Sequence, residues 1–288
     1  MNRPGPAVGS RLILGGHTFI SQLGNDPAAS REEQQGIVRA CLDAGVCWFD
    51  TTYQPERRAL GETLQALRDS GIKTSGAKVI AWNFFNDFDS NGALGGPDYY
   101  RDAHIEIMLG QLRLPRIDAL VVHRLNDEEL NARQLALAVR WKEDGRVGRL
   151  GIWAPDIEFI HSAGSRSPYD FMVRPYNVLT PEAPEIFECA KQAGWETFAC
   201  SPFYRGWQID KLAAAAERID PKLDRAVAVR RIADHLLRYS LFRPNVDRLI
   251  VAMRRPGWVE SNVQSAARGP LTDVESDWLT RALKDAIG

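Results

Sequence analysis

Eight short apolar or β-branched runs, separated by longer amphipathic stretches and recurring at intervals of roughly 30 residues, constrain this chain more than any other feature of its sequence. The runs lie at residues 11–14, 46–50, 78–82, 117–122, 149–153, 171–174, 196–200 and 248–251. Between them fall helical patterns such as 31–44, 56–69, 103–112, 128–144, 184–193 and 229–241. Gly45 and Gly194 close two of these helices, each in the place of a left-handed C-cap. Alternation of this kind is the pattern of βα units wound around a parallel sheet. Eight units within 288 residues favour a closed barrel, and no GxGxxG follows any strand to suggest an open doubly wound sheet. The expected architecture is α/β: one (β/α)8 TIM barrel spanning residues 1–288 as a single domain. An extra C-terminal helix over 273–286 exceeds the eight units and is expected to cross the outside.

A hydrophobic fraction of 44% excludes a disordered chain, and a net charge of −1 with scattered Lys and Arg lacks the footprint of a nucleic-acid binder. No stretch approaches the roughly 20 apolar residues needed to cross a bilayer, and residues 1–10 hold no apolar run of signal-peptide length. A cytoplasmic protein acting on a small molecule is the expectation. Cys41, Cys47, Cys189 and Cys200 show neither CxxC nor CxxH spacing, so they read as buried thiols, without disulfides or a metal site.

Barrel enzymes gather their chemistry at the C-terminal ends of the strands. Asp50 closes the second apolar run and His123 closes the fourth. An acid and an imidazole at one rim cost free energy to bury unless they find partners, which points to function.

These residues sit within an ordered set of segments that resembles the aldo-keto reductase family over nearly the whole chain. The set comprises residues 41–52 ending in Phe49-Asp50-Thr51-Thr52, then Leu60-Gly61-Glu62-Thr63-Leu64, then 107–123 ending in Val122-His123. Residues 142–152, Pro175-Tyr176-Asn177-Val178-Leu179, Cys200-Ser201-Pro202-Phe203 with Gly206, and 237–251 follow in the family's order. The resemblance implies hydride transfer between a nicotinamide and a carbonyl or alcohol carbon, assisted by an Asp, Tyr, Lys and His tetrad. A phenol with an ordinary pKa near ~10 has to be tuned before it can serve as the acid.

Asp50 and His123 match the tetrad; the other two positions depart from it. Where the family has its tyrosine this chain has Pro55, and the nearest phenol is Tyr53, which a shortened loop could swing into the site. The lysine position falls on Trp82 or Asn83, neither a cation, and Asn83 is carried as a catalytic candidate in its place. Lys78 begins the same strand and would stand roughly 13 to 17 Å from the rim. Without the lysine, an ionised Asp50 needs another cation, a proton or a metal beside it. Arg57, Arg58, Arg124, Arg174 and Arg205 are the rim-loop candidates.

On the cofactor side, the positions that hold the carboxamide in the family are Gly151-Ile152-Trp153-Ala154 and Val173 here, so those polar contacts are lost. Ser201 and Pro202 remain. Arg254, Arg255, Glu260 and Asn262 lie where the family grips the 2′-phosphate and adenine of NADP(H), or else form a charged loop after the eighth strand. Trp82, Trp153 and Trp207 are rim packing or platforms for a sugar or aromatic substrate, and Arg174 is a substrate-facing candidate. Residues 83–100 read as a mobile loop over the mouth. His17, after Gly15-Gly16, is a residue that a pocket-facing turn could present, and His104, His161 and His235 are expected at the surface.

The leading expectation is an NADP(H)-dependent aldo-keto-reductase-like oxidoreductase with a degenerate tetrad, with Tyr53 as acid/base, His123 orienting substrate and Asp50 in support. The alternatives are a cofactor-independent lyase, isomerase or hydrolase using Asp50, Tyr53 and His123, and a non-catalytic binding protein on the same barrel.

Overall fold

A computed structural model describes residues 8–21, 29–85, 95–164, 167–206 and 208–287. Its eight strands are β1 (Leu12–Leu14), β2 (Trp48–Thr51), β3 (Lys78–Trp82), β4 (Ile117–Val122), β5 (Val147–Trp153), β6 (Phe171–Pro175), β7 (Glu196–Cys200) and β8 (Arg248–Val251). All neighbours are parallel and follow chain order, and β8 pairs with β1 through Ile13↔Ile250 to close the barrel. The eight expected runs are these eight strands, with ends displaced by two residues at most.

The helices are α1 (Arg31–Asp43), α2 (Gln54–Asp69), α3 (His104–Leu112), α4 (Glu128–Glu143), α5 (Ile157–Ala163), α6 (Ala183–Gln192), α7 (Ile209–Ile219), α8 (Arg225–Leu241), α9 (Pro256–Ala267) and α10 (Asp273–Ile287). Side chains of Ser30, Asp127, Asp156 and Asp224 accept from the third residue of α1, α4, α5 and α8, satisfying N–H groups that a helix start leaves unpaired. Gly45 and Gly194 take φ of 78° and 84° beyond α1 and α6, the conformation their sequence positions suggest.

Strand side chains alternate between two apolar surroundings. Ile13, Trp48, Ile80, Ala119, Phe171 and Phe198 fill the barrel interior, while Leu12, Phe49, Val79, Leu120 and Met172 face the helical layer. Phe171 and Phe198 stack at 4.7 Å inside the barrel, and a Cβ on Gly151 would lie 2.3 Å from the Phe171 ring. Any side chain at that position would therefore force the Phe171 ring to move. Outside, α7, α8 and α10 enclose a satellite core of Leu212, Ala216, Ile232, Leu236, Trp278 and Leu279, so the extra C-terminal helix does cross the exterior. Buried Arg238 pins α8 to the start of α10 through Glu275 at 2.8 Å, and pairs with Asp234 one turn earlier on its own helix at 3.1 Å.

Two of the histidines expected at the surface are buried. His104 stacks on Phe85 at 3.6 Å, and His235 packs edge-on against Trp278. Both lie on the apolar faces of their helices, which a single polar residue does not reveal in the sequence; His161 is exposed. Residues 86–94 of the expected mouth loop lie outside the described residues. Among the described residues no helix is long and apolar enough to cross a membrane.

Candidate active site

Strand alternation decides which residues reach the open mouth. Asp50 is in phase with Trp48, Trp82 with Ile80, and His123 with Ala119 and Val121, so all three continue the inward-facing set to the C-terminal rim. They line one cleft of about 1280 Å³. Lys78 stands at the other end of β3, exposed, with its ammonium 5.3 Å from the centre of the Trp48 ring.

Asp50 is 5% exposed, and its Oδ1 accepts the Trp82 indole N–H at 2.6 Å. Removal from water pushes its carboxyl up to about 7; the Trp82 donor opposes this, the Glu56 carboxylate adds to it, and His17 and the Gly16 N–H oppose it. Where the family resemblance implies a lysine, the indole N–H is the donor to Asp50. At about 7 the carboxyl shares its population between the acid and the carboxylate near neutral pH, and the protonated fraction needs no cation.

None of the described arginines takes the lysine's place. Arg57 is fully buried behind the rim, donating to the carbonyls of Thr52, Trp82 and Phe84 and to Gln111 Oε1, and burial lowers it to about 10. It ties the end of β2 to the end of β3. Arg174 donates to the carbonyls of Ala154 and Pro155, and Arg124 pairs with Glu128 over the Phe159 ring. Arg58 lies on the exposed side of α2.

His123 Nδ1 lies 2.9 Å from the Arg124 carbonyl. A carbonyl only accepts, so Nδ1 carries the proton and Nε2 presents a lone pair. Burial holds the ring below the usual histidine pKa, leaving it neutral at pH 7. Trp153 stacks beside it at 6.1 Å, and Phe84 meets it edge-on at 5.6 Å. Tyr53 is the N-cap of α2, and its ring lies edge-on to Phe84 at 5.0 Å and parallel to His17 at 5.9 Å.

Two expected catalytic or substrate residues lie outside the cleft lining, for the same geometric reason. Asn83 and Arg174 each directly follow an inward residue, Trp82 and Val173, so they point out of phase. The Asn83 amide is fully buried: Nδ2 donates to the carbonyls of Asp98 and His123, and Oδ1 accepts from the His123 N–H at 2.8 Å. It is a strut that holds the His123 backbone. Of the cofactor candidates, Ser201, Pro202, Arg254 and Asn262 line the cleft. Arg255 and Glu260 do not: Arg255 is the exposed N-cap of α9 with its guanidinium over Trp258, and Glu260 is exposed on the same helix. Trp207 and the side chain of Arg205 lie outside the described residues.

Glu56 and Phe84 are not among the candidates that the sequence singles out. Glu56 is fully buried, accepting the N–H groups of Thr52 at 2.6 Å and Tyr53 at 3.2 Å and lying 2.8 Å from His17 Nδ1. Its place three residues after the N-cap of α2 is the available signal, since a glutamate there reaches back to the cap.

The model of the aldo/keto reductase family matches residues 11–284. No curated protein matches the chain. Among solved structures, the aldo-keto reductase AKR11C1 from Bacillus halodurans, in its holo form, is similar with a TM-score of 0.68 and 15% identity, over 94% of this chain and 91% of that one. At that identity the likeness shows a shared barrel.

Proposed function

The chain belongs to the aldo/keto reductase family, and on that premise we propose that it is an NADP(H)-dependent oxidoreductase whose proton chemistry runs without the tetrad lysine. The observation that carries this reading is the continuity of the cleft. It runs from Asp50, Tyr53 and His123 past Ser201 and Pro202 to Arg254 and Asn262, and its volume of about 1280 Å³ exceeds what a small carbonyl compound needs.

The lining fits a nicotinamide dinucleotide unequally along its length. At the far end, Arg254 and the first turn of α9 offer positive charge and helix N–H groups suited to a phosphate. Near the barrel axis, Trp153, Val173 and Cys200 form flat apolar walls, with Ser201 as the neighbouring hydroxyl. Those walls suit the faces of a planar ring but give its carboxamide no side-chain amide partner. When bound, the nicotinamide would supply or accept the hydride.

The protein's own side chains do the rest. His123 offers a neutral Nε2 to orient the substrate, Trp82 keeps Asp50 in place, and Tyr53 and His17, stacked in the same cleft, are the groups available to exchange a proton with it. Titration of the protein with NADPH, followed by fluorescence of Trp82, Trp153 and Trp258 in the cleft, tests the reading. Saturable quenching is expected; unchanged fluorescence at millimolar NADPH overturns it.

A second reading rests on Asp50 itself. A carboxyl poised at about 7, with an indole beside it in place of a lysine, suits proton abstraction as well as it suits support of hydride transfer. Solvent-deuterium exchange into a carbonyl compound without nicotinamide, abolished by His123→Ala, would favour it.

A further inference from the structure

The mouth of the barrel at β1 carries a side-chain pair that the family's tetrad does not account for. Gly15 continues the ladder by donating to the Val251 carbonyl at 2.9 Å, and a 3-10 turn over Gly16–Thr18 then swings His17 into the cleft. Thr18 Oγ1 anchors that turn by accepting the Met253 N–H at 3.1 Å. The His17 side chain is 32% exposed, and its Nδ1 meets Oε1 of a fully buried Glu56 at 2.8 Å. Glu56 Oε2 is occupied by the N–H groups of Thr52 and Tyr53. With its other oxygen committed as an acceptor and its position set by α2, Glu56 places the proton on Nδ1 and leaves Nε2 facing the cleft.

The backbone is shaped to allow the pair. A Cβ at Gly16 would stand 2.1 Å from Glu56 Oε2 and 2.9 Å from the Asp50 carbonyl, so the carboxylate passes directly over a bare Cα. The Tyr53 ring, whose centroid is 5.9 Å from that of His17 and which is tilted by 22° to it, favours that plane for the imidazole. A helix cap alone would not require a fully buried carboxylate, which is costly to desolvate. An imidazole held by a buried acid, with no partner at its second nitrogen among the described residues, is the arrangement of a general acid/base.

We propose that His17 exchanges the proton with the substrate oxygen, and that Glu56 is the positioning residue that holds it. The proposal rests on the oxidoreductase reading. In reduction, the Nε2–H bond of protonated His17 breaks, its electron pair stays on nitrogen, and the proton forms the O–H bond of the product alcohol. The hydride would come from a reduced nicotinamide dinucleotide, and a proton taken up from solvent restores the Nε2–H. In oxidation the Nε2 lone pair takes the hydroxyl proton, and the hydride from the carbinol carbon would pass to an oxidised nicotinamide dinucleotide. Tyr53 then serves as the wall against which the imidazole is set.

The test combines a structural and a catalytic measurement on the full chain. Imidazole NMR of the isotope-labelled protein should show His17 as the Nδ1–H tautomer in the neutral form, and Glu56→Gln should weaken that preference; an Nε2–H tautomer in the unaltered protein overturns the proposal. With NADPH and a panel of benzaldehyde, methylglyoxal and dihydroxyacetone, His17→Gln should cut turnover at least about 100-fold with NADPH affinity unchanged. Tyr53→Phe should cost less than about tenfold. Retention of activity within about threefold in His17→Gln, or failure of an NADPH-binding unaltered protein to reduce any of the panel, overturns it. Absence of NADPH binding sinks the oxidoreductase reading instead. The pair is then judged by deuterium exchange into methylglyoxal and dihydroxyacetone, which must occur in the unaltered protein and vanish in His17→Gln.

Discussion

Replacing Asp50 with asparagine tests the electrostatics of the barrel mouth most directly. The two side chains are nearly isosteric, and an amide oxygen still accepts the Trp82 indole N–H that now reaches Oδ1 at 2.6 Å. What changes is that the amide cannot ionise. Burial raises the Asp50 carboxyl from an ordinary 3.8 to about 7, so the folded state holds this proton more tightly than the unfolded chain. The stability this confers is complete below pH 3.8 and is lost as the pH rises towards 7. A rise of about three units, at about 1.36 kcal/mol each, amounts to about 4 kcal/mol. The stability of Asp50→Asn relative to the unaltered protein should therefore climb by about 4 kcal/mol between about pH 4 and about pH 8. All other carboxylates are common to both proteins and cancel. Urea unfolding of the pair across that range, compared at a common m-value, measures the difference. A gap that changes by less than about 1 kcal/mol would refute the argument that Asp50 is neutralised by a proton.

Trp82→Phe removes the indole donor to Asp50, so the carboxyl should titrate above about 7, and the same pH series would show the loss of stability moved to higher pH. Arg57→Ala strips the shared donor from the carbonyls of Thr52, Trp82 and Phe84; at about 1 kcal/mol or more for each buried carbonyl left unpaired, stability should fall by about 3 kcal/mol or more. Calorimetry should register that as a Tm lower by about 6 to 12 °C. Arg254→Ala should weaken NADPH about tenfold, the worth of roughly 1.4 kcal/mol, and leave NADH unchanged; an equal loss for both would show that Arg254 does not read the 2′-phosphate.

Much of the site was legible before any coordinates. Asp50 and His123 were identifiable because each is the polar residue that closes an apolar strand, and the fold brings both to one mouth. The same period-of-two rule, counted from Trp82 and Val173, turns Asn83 and Arg174 out of the cleft, so that part of the site could have been read more sharply. Glu56 is a different case. In sequence it is an ordinary helix-start glutamate, and its bond to His17 joins residues 39 positions apart. Arg57 and Gln111, 54 apart, present the same difficulty.

The order of apolar runs and amphipathic stretches determined the barrel, its strand sequence and the rim at which polar side chains would gather, because those depend on local periodicity and on the handed, short connections between parallel strands. Only the folded chain decided what stands beside Asp50, which arginines are struts and that His17 meets a buried carboxylate. Those outcomes depend on distances across strand ends and loops, where a shift of an ångström or two separates a hydrogen bond from none, and no spacing along the chain encodes them.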